Sequence, residues 1–278
     1  MKKIVIPNSL KQIYELVSKV DGFLISIEDL SINAPYYFNL LELEEINKLL
    51  IENKKELFVS LNKNIHQSEL EQLKKTLIFL EKLEIKSIFF YDLSIVNLKE
   101  TLNLKNELTW ASEHLTTNYA TINFYYELGN KGTYLSSNLT IDEVNEIRKN
   151  TKSKLFFNIF GYLPMYTSKR RVVKNYIEKF KINKKQLKID FIKKEGNVYP
   201  IVDENNGTTI YSSNILNGLL EIEKLDVDYL ILNSFNIDDF EKVIDIFNNE
   251  KSNEKLEKMF SNLDKGFMYK ETIYRVKK

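Results

Sequence analysis

The chain has 278 residues, a formal charge of +1 and no cysteine. Its 43% hydrophobic and 12% aromatic content can fill a large core, which excludes an intrinsically disordered chain. Balanced charge gives no global field for nucleic acid or membrane, and the missing thiols exclude disulfides, thiolate metal sites and thiol catalysis. The opening Met1–Pro7 is too short and too soon interrupted for a signal peptide, and no long uncharged apolar run follows. A cytoplasmic protein is the expectation.

Short apolar runs alternate with amphipathic helical patterns. Lys3–Ile6 reads as the first strand, before a helix around Leu10–Val17. Phe23–Ile27 and Leu57–Leu61 are the second and third strands, each followed by a helix, Leu41–Glu52 and Ser68–Leu83. Ser87–Tyr91 and Leu108–Ala111 are the fourth and fifth, with helices near Ile95–Leu102 and Tyr119–Leu128. Thr133–Ser136 is the sixth, and the helix Ile141–Lys149 begins after Thr140, an N-cap with Glu143 three residues on. Leu155–Ile159 is the seventh strand; Tyr229–Leu232 is the eighth, trailed by a helix over Asp238–Phe247.

Eight buried-type strands separated by helices predict a (β/α)8 barrel of the TIM type, forming one domain over residues 1–278. An open doubly wound sheet fits less well, because no Gly-x-Gly-x-x-Gly turn follows a strand. Between strands seven and eight lies an insertion, about 170–211. It contains a helical stretch Arg170–Phe180, β-like runs Leu187–Lys193 and Val198–Val202, and the hairpin dipeptide Asn206-Gly207. The C-terminal Thr272–Val276 alternates like a strand.

Chemistry in such a barrel sits at the C-terminal ends of the strands. Polar residues predicted there include Asn62, Ser112, Ser136, Ser137, Asn158 and Asn233, with Glu28, Asp92, Glu113 and His114 as candidates for acid–base work. The plain alternative is that these groups satisfy loop backbone and face water. No metal site is expected, since His66 and His114 are the only histidines and no His-Glu-x-x-His pattern occurs. From Lys169 to Lys188 nine basic residues face one acid, Glu178. Arg170, Arg171, Lys174 and the stacking-competent Tyr176 are the RNA-binding candidates there, against the alternative of a simply solvated helix.

Gly161–Tyr176, read with Tyr199-Pro-Ile-Val-Asp203 and Gly207–Ser213, resembles the signature region of the collagenase-like peptidase U32 family. That region usually carries Gly-Ala-x-Cys and Ser-Gly-Arg-Cys; here Pro164 and Arg171 stand at the first two cysteine positions and Asn217 at the third. Thr117-Asn118 and Glu127-Leu-Gly129 also match. Ser137 and Asn138 replace an Arg-Glu pair, and Asn233 and Phe235 replace the charges of a Glu-Gly-Arg run. The resemblance implies a barrel, and iron–sulfur chemistry in members that keep their cysteines. Short members resemble the smaller partner of a pair linked to wobble-uridine hydroxylation in tRNA. For this chain it implies no cofactor of its own, a larger cysteine-bearing relative as hetero-oligomeric partner, and contact with tRNA rather than membrane. A family-type peptidase using carboxylates at the barrel mouth, and a stand-alone binding barrel, remain the alternatives. Protein purified without oxygen is expected to be colourless; about four irons per chain with visible absorption, the signature of a cubane cluster, would contradict this.

Overall fold

The apolar runs that open each repeat become, in a computed structural model of the chain, the staves of a closed parallel barrel. The structure describes residues 1–112, 114–183, 187–250 and 252–270. The expected terminal strand Thr272–Val276 and the candidate Glu113 lie outside the described residues.

Seven strands follow one another in order: β1 (Lys2–Ile6), β2 (Gly22–Ser26), β3 (Glu56–Leu61), β4 (Ser87–Phe90), β5 (Leu108–Trp110), β6 (Gly132–Tyr134) and β7 (Lys154–Ser168). The insertion contributes β8 (Asp190–Lys194), β9 (Asn197–Glu204) and β10 (Gly207–Asn217). The strand β11 (Tyr229–Asn233) then pairs in parallel with both β7 and β1, closing a barrel of eight parallel strands as the sequence predicts. Crossover helices α1 (Leu10–Leu16), α2 (Leu40–Glu52), α3 (Leu70–Leu80), α4 (Ser94–Thr101), α5 (Tyr119–Glu127) and α6 (Ile141–Lys149) cover the outside. The insertion carries α7 (Val172–Lys179). After β11 come α8 (Phe240–Asp245), α9 (Asn253–Met259) and a two-residue β12 (Leu263–Asp264) paired with β10.

Local sequence explains several boundaries. Thr140 caps α6 by accepting from the Glu143 amide, while the Glu143 carboxylate accepts from the Thr140 amide at 2.7 Å. Asn39 and Glu42 make the same reciprocal pair at the start of α2.

The core has two shells because each barrel strand alternates its faces. Outward side chains such as Val5, Ile25, Val59 and Phe157 pack under the helices. Inward ones include Phe58, Phe89, Phe156 and Tyr229. Their rings meet edge-on or stacked, with Phe156 and Tyr229 centroids 4.3 Å apart, so the barrel axis is filled with aromatic carbon rather than water.

The largest departure from the sequence reading is β7. A strand over Leu155–Ile159 is expected, yet β7 runs on to Ser168. Up to Phe160 it pairs with β11, and from Phe160 onward it pairs antiparallel with β10. Gly161 sits at the change of partner, with φ 116° and an ideal Cβ position only 2.5 Å from the Asn233 carbonyl oxygen. Only glycine fits both that backbone and that approach. Pro164, which has no amide proton to give, sits where the β7–β10 register shifts around Tyr211. The insertion is therefore a three-stranded antiparallel extension of β7, wider than the expected 170–211. Gly161→Ala should cost roughly 2 kcal/mol or more of unfolding free energy, measured by denaturant titration; an unchanged midpoint would contradict the proposed strain.

Candidate functional site

The hairpin of β9 and β10 is fastened to the loop after β2 by half-buried polar bonds. Asn33 sits in the left-handed region at φ 60°, a conformation asparagine tolerates. Its Oδ1 accepts from the Thr209 hydroxyl at 2.6 Å, and its side chain also bonds Thr167 of β7 at 3.1 Å. Asn206, in the hairpin turn, donates to the Ser31 carbonyl at 3.1 Å. Lys63, after β3, donates to Glu69, to the Asp29 carbonyl and to Asn206, at 2.5, 2.7 and 3.3 Å.

Tyr37 and Glu204 form a titratable pair in the same seam. Burial pushes the Tyr37 hydroxyl well above its usual range, and the charge and hydrogen bond of Glu204 add to that. Burial also raises the Glu204 carboxyl, although the Tyr37 hydrogen bond and the charges of Lys188 and Arg171 oppose it.

Beneath the seam lies the barrel mouth. An inner cavity of about 70 Å³ is floored by Ile6, Leu24 and Phe89, and the described residues of its wall include no Asp, Glu, Lys or Arg. Three of its polar residues are almost fully buried: Ser26 and Ser60 at 5% exposure and Asn233 at 6%. Asn233 Oδ1 accepts from the Phe235 amide at 2.9 Å, which fixes the amide and leaves Nδ2 for the cavity. Across the cavity Asn158 is fully committed, accepting from Tyr134 and donating to Ser137, both at 2.6 Å. Ile32, Asn62 and His114 also line an outer chamber of about 500 Å³, which continues to Tyr91, His66, Lys169 and Asn206. There Lys169 Nζ lies 3.3 Å from His66 Nε2.

The sequence-predicted acid–base set does not converge. His114 lines both chambers, with Nδ1 3.5 Å from Asn138. Glu28 faces a separate recess beside Tyr36 and Lys188. Asp92 accepts from the amides of Ile65 and Ser94 at 3.0 and 2.9 Å. Its burial alone would raise the carboxyl, but those amides and the charge of Lys169 outweigh it and hold Asp92 below the usual range. Asp92 is thus an ionised loop brace, unsuited to shuttling protons near neutrality. Among the described residues no group of three His, Asp or Glu is placed to hold a metal.

The basic candidates divide. Arg170 is exposed, and Lys174 reaches only Glu178, at 3.9 Å. Arg171 bonds Asp203 at 3.3 Å, and the buried Asp203 carboxylate also accepts from the Lys174 amide at 2.7 Å, tying α7 to β9. Tyr176 is 56% exposed, its ring 4.8 Å from that of Phe180. Sequence reasoning missed Ser26 and Ser60, which hide inside apolar strands, and Lys169, whose place at the mouth depends on the extension of β7.

The positions matched to cluster cysteines hold structural groups. Pro164 lines the inner cavity, Arg171 is ion-paired, and Asn217 bonds the Leu219 amide and Asn253 at 3.2 and 2.8 Å. An amide, a guanidinium and a pyrrolidine ring offer none of the thiolates an iron–sulfur cluster takes, so these residues do not fit one.

The raised Glu204 value carries a pH signature. A carboxyl with a higher folded than unfolded pKa binds more protons when folded, so its contribution is present at low pH and is lost as pH rises from the ordinary 4.5 through the raised value. Glu204→Gln should make unfolding free energy fall less with pH over that interval than in the unsubstituted chain. Identical slopes would contradict the assignment.

Comparison with known proteins fits this architecture. Over 99% of its length the chain is 25% identical to tRNA hydroxylation protein P2 of Bacillus subtilis (strain 168), all of which is covered. A solved U32 peptidase, Mk0906, superposes with a TM-score of 0.55 at 13% identity, covering 84% of this chain and 93% of that one. A family model for peptidase family U32 matches residues 13–276. The barrel, its hairpin over the mouth and that match across nearly the whole sequence establish that the chain belongs to peptidase family U32.

Proposed function

We propose that this chain is the non-catalytic, accessory member of a pair of family proteins that hydroxylates wobble uridine in tRNA. It works in the cytoplasm beside a larger relative that keeps the cluster cysteines, and carries no cofactor itself. The observation that carries this reading is the fate of the cluster positions: the barrel and hairpin are intact while Pro164, Arg171 and Asn217 have been turned to packing and hydrogen bonding. A subunit can lose its cluster ligands when a partner supplies the chemistry. The similarity to a tRNA hydroxylation protein supports the choice of reaction.

The insertion offers surface for such an assembly. Met165, Tyr166, Tyr176, Phe180 and Phe191 are each more than half exposed there, amid Lys and Arg side chains. Of the three basic candidates, Arg170 and Lys174 are left to meet tRNA phosphates, since Arg171 is held by Asp203.

A family-type peptidase is the second reading, and what favours it is the family itself. Against it, Glu28 and His114 open on different recesses and Asp92 is locked to backbone amides. Deletion in the native host, followed by mass spectrometry of tRNA nucleosides, should show hydroxylated uridine lost or sharply reduced. An unchanged level would sink the accessory reading, and cleavage of a defined peptide by the purified chain would install the peptidase one. In binding assays, reversing the charge at Arg170 and Lys174 should weaken tRNA affinity and flatten its salt dependence.

A further inference from the structure

We infer that the barrel mouth of this chain is itself a receptor for one nucleotide, taking a carbonyl-bearing pyrimidine base of the uracil type in the inner cavity and its phosphate against Lys169 and His66. The inference rests on the tRNA reading above and names the group that this site would recognise.

Three features of the inner cavity select the base. By size, about 70 Å³ is room for roughly five waters, or one six-membered ring. By polarity, an apolar floor of Leu24 and Phe89 suits a ring face, and a wall without Asp, Glu, Lys or Arg among the described residues suits a neutral ligand. By hydrogen bonding, the Ser26 and Ser60 hydroxyls and the Asn233 amide nitrogen belong to near-buried residues and have no side-chain hydrogen-bond partner among the described residues. All three can donate, and the hydroxyls can also accept. A ring edge with two carbonyls and one imide N–H satisfies that set, whereas the exocyclic amino group of cytosine meets a second NH2 at Asn233. These groups line the cavity, so a base seated there can pair with them.

The outer chamber supplies the rest of the nucleotide. Its volume of about 500 Å³ accommodates a ribose phosphate, and it joins the inner cavity along Asn62 and His114. Lys63 is neutralised by Glu69, and the Asp92 carboxylate is turned to the amides of Ile65 and Ser94. Among the described residues Lys169 is the cation left facing the chamber, with His66 3.3 Å away, a spacing that lets one phosphate oxygen bridge both nitrogens.

Calorimetric titration of the purified full chain with uridine 5′-monophosphate, cytidine 5′-monophosphate and uridine tests the site. Uridine monophosphate should bind about tenfold more tightly than the cytidine nucleotide. Lys169→Glu, at an exposed position, should weaken uridine monophosphate about tenfold and leave uridine unchanged. Asn233→Asp keeps the acceptor for the Phe235 amide while replacing the NH2, so at about pH 8, with the carboxylate ionised, it should reverse the preference toward cytidine monophosphate. If that variant does not fold, Ser60→Ala should narrow the preference instead. Equal affinity for the two nucleotides, or no uridine monophosphate binding at millimolar concentration, would overturn the inference. Failure here with hydroxylated uridine still lost on deletion leaves the accessory role standing. Nucleotide binding with hydroxylation unchanged on deletion keeps the site and removes the tRNA hydroxylation reading.

Discussion

The hydrogen bonds converging on Asn33 join segments 134 and 176 residues apart, and the shape of the barrel mouth depends on them. A barrel of this kind closes with its strand ends open to water. Here β7 leaves the barrel at Gly161 and returns as β10, and the ladder between them would otherwise stand free above the opening. Asn33, Tyr37, Asn206 and Lys63 pull its tip onto the loops after β2 and β3. Each bond contributes on the order of 1 kcal/mol, and several acting on one hairpin tip hold it as a unit. With the hairpin down, Pro164 comes to line the inner cavity and Lys169 the outer one.

The replaced family residues share this logic. Asn233 stands where the family has a glutamate, holds the Phe235 amide and offers its NH2 to the cavity. Phe235, in place of an arginine, stacks on Tyr211 of β10 with centroids 3.8 Å apart. Ser137, replacing another arginine, accepts from Asn158. At these positions charges have given way to neutral amides, hydroxyls and rings.

Much of this was legible in the sequence. Eight apolar runs, the Thr140 capping pair and the Asn206-Gly207 turn follow local rules, and the structure bears them out. The signature segment identified the family because its spacing survives the loss of its cysteines. What stayed hidden depends on distant partners. The expected seventh strand stops at Ile159, before Gly161 and Pro164, and only β10 makes the segment beyond it a strand. Arg171 read as a free cation because Asp203, 32 residues on, was unseen. Glu28 and Asp92 sit at strand ends as expected, but which way a loop carboxylate turns is set by neighbouring amides that no periodicity encodes.

Native-state hydrogen exchange on Thr209→Val tests the dependence of the mouth on its seam most directly. The substitution keeps the shape and strand propensity of β10 and removes only the hydroxyl that donates to Asn33. Amides of β9 and β10 should then exchange roughly tenfold faster, with those of β2, β3 and β11 unchanged. Uniform exchange in hairpin and barrel, or no acceleration at all, would contradict a hairpin held down by this seam.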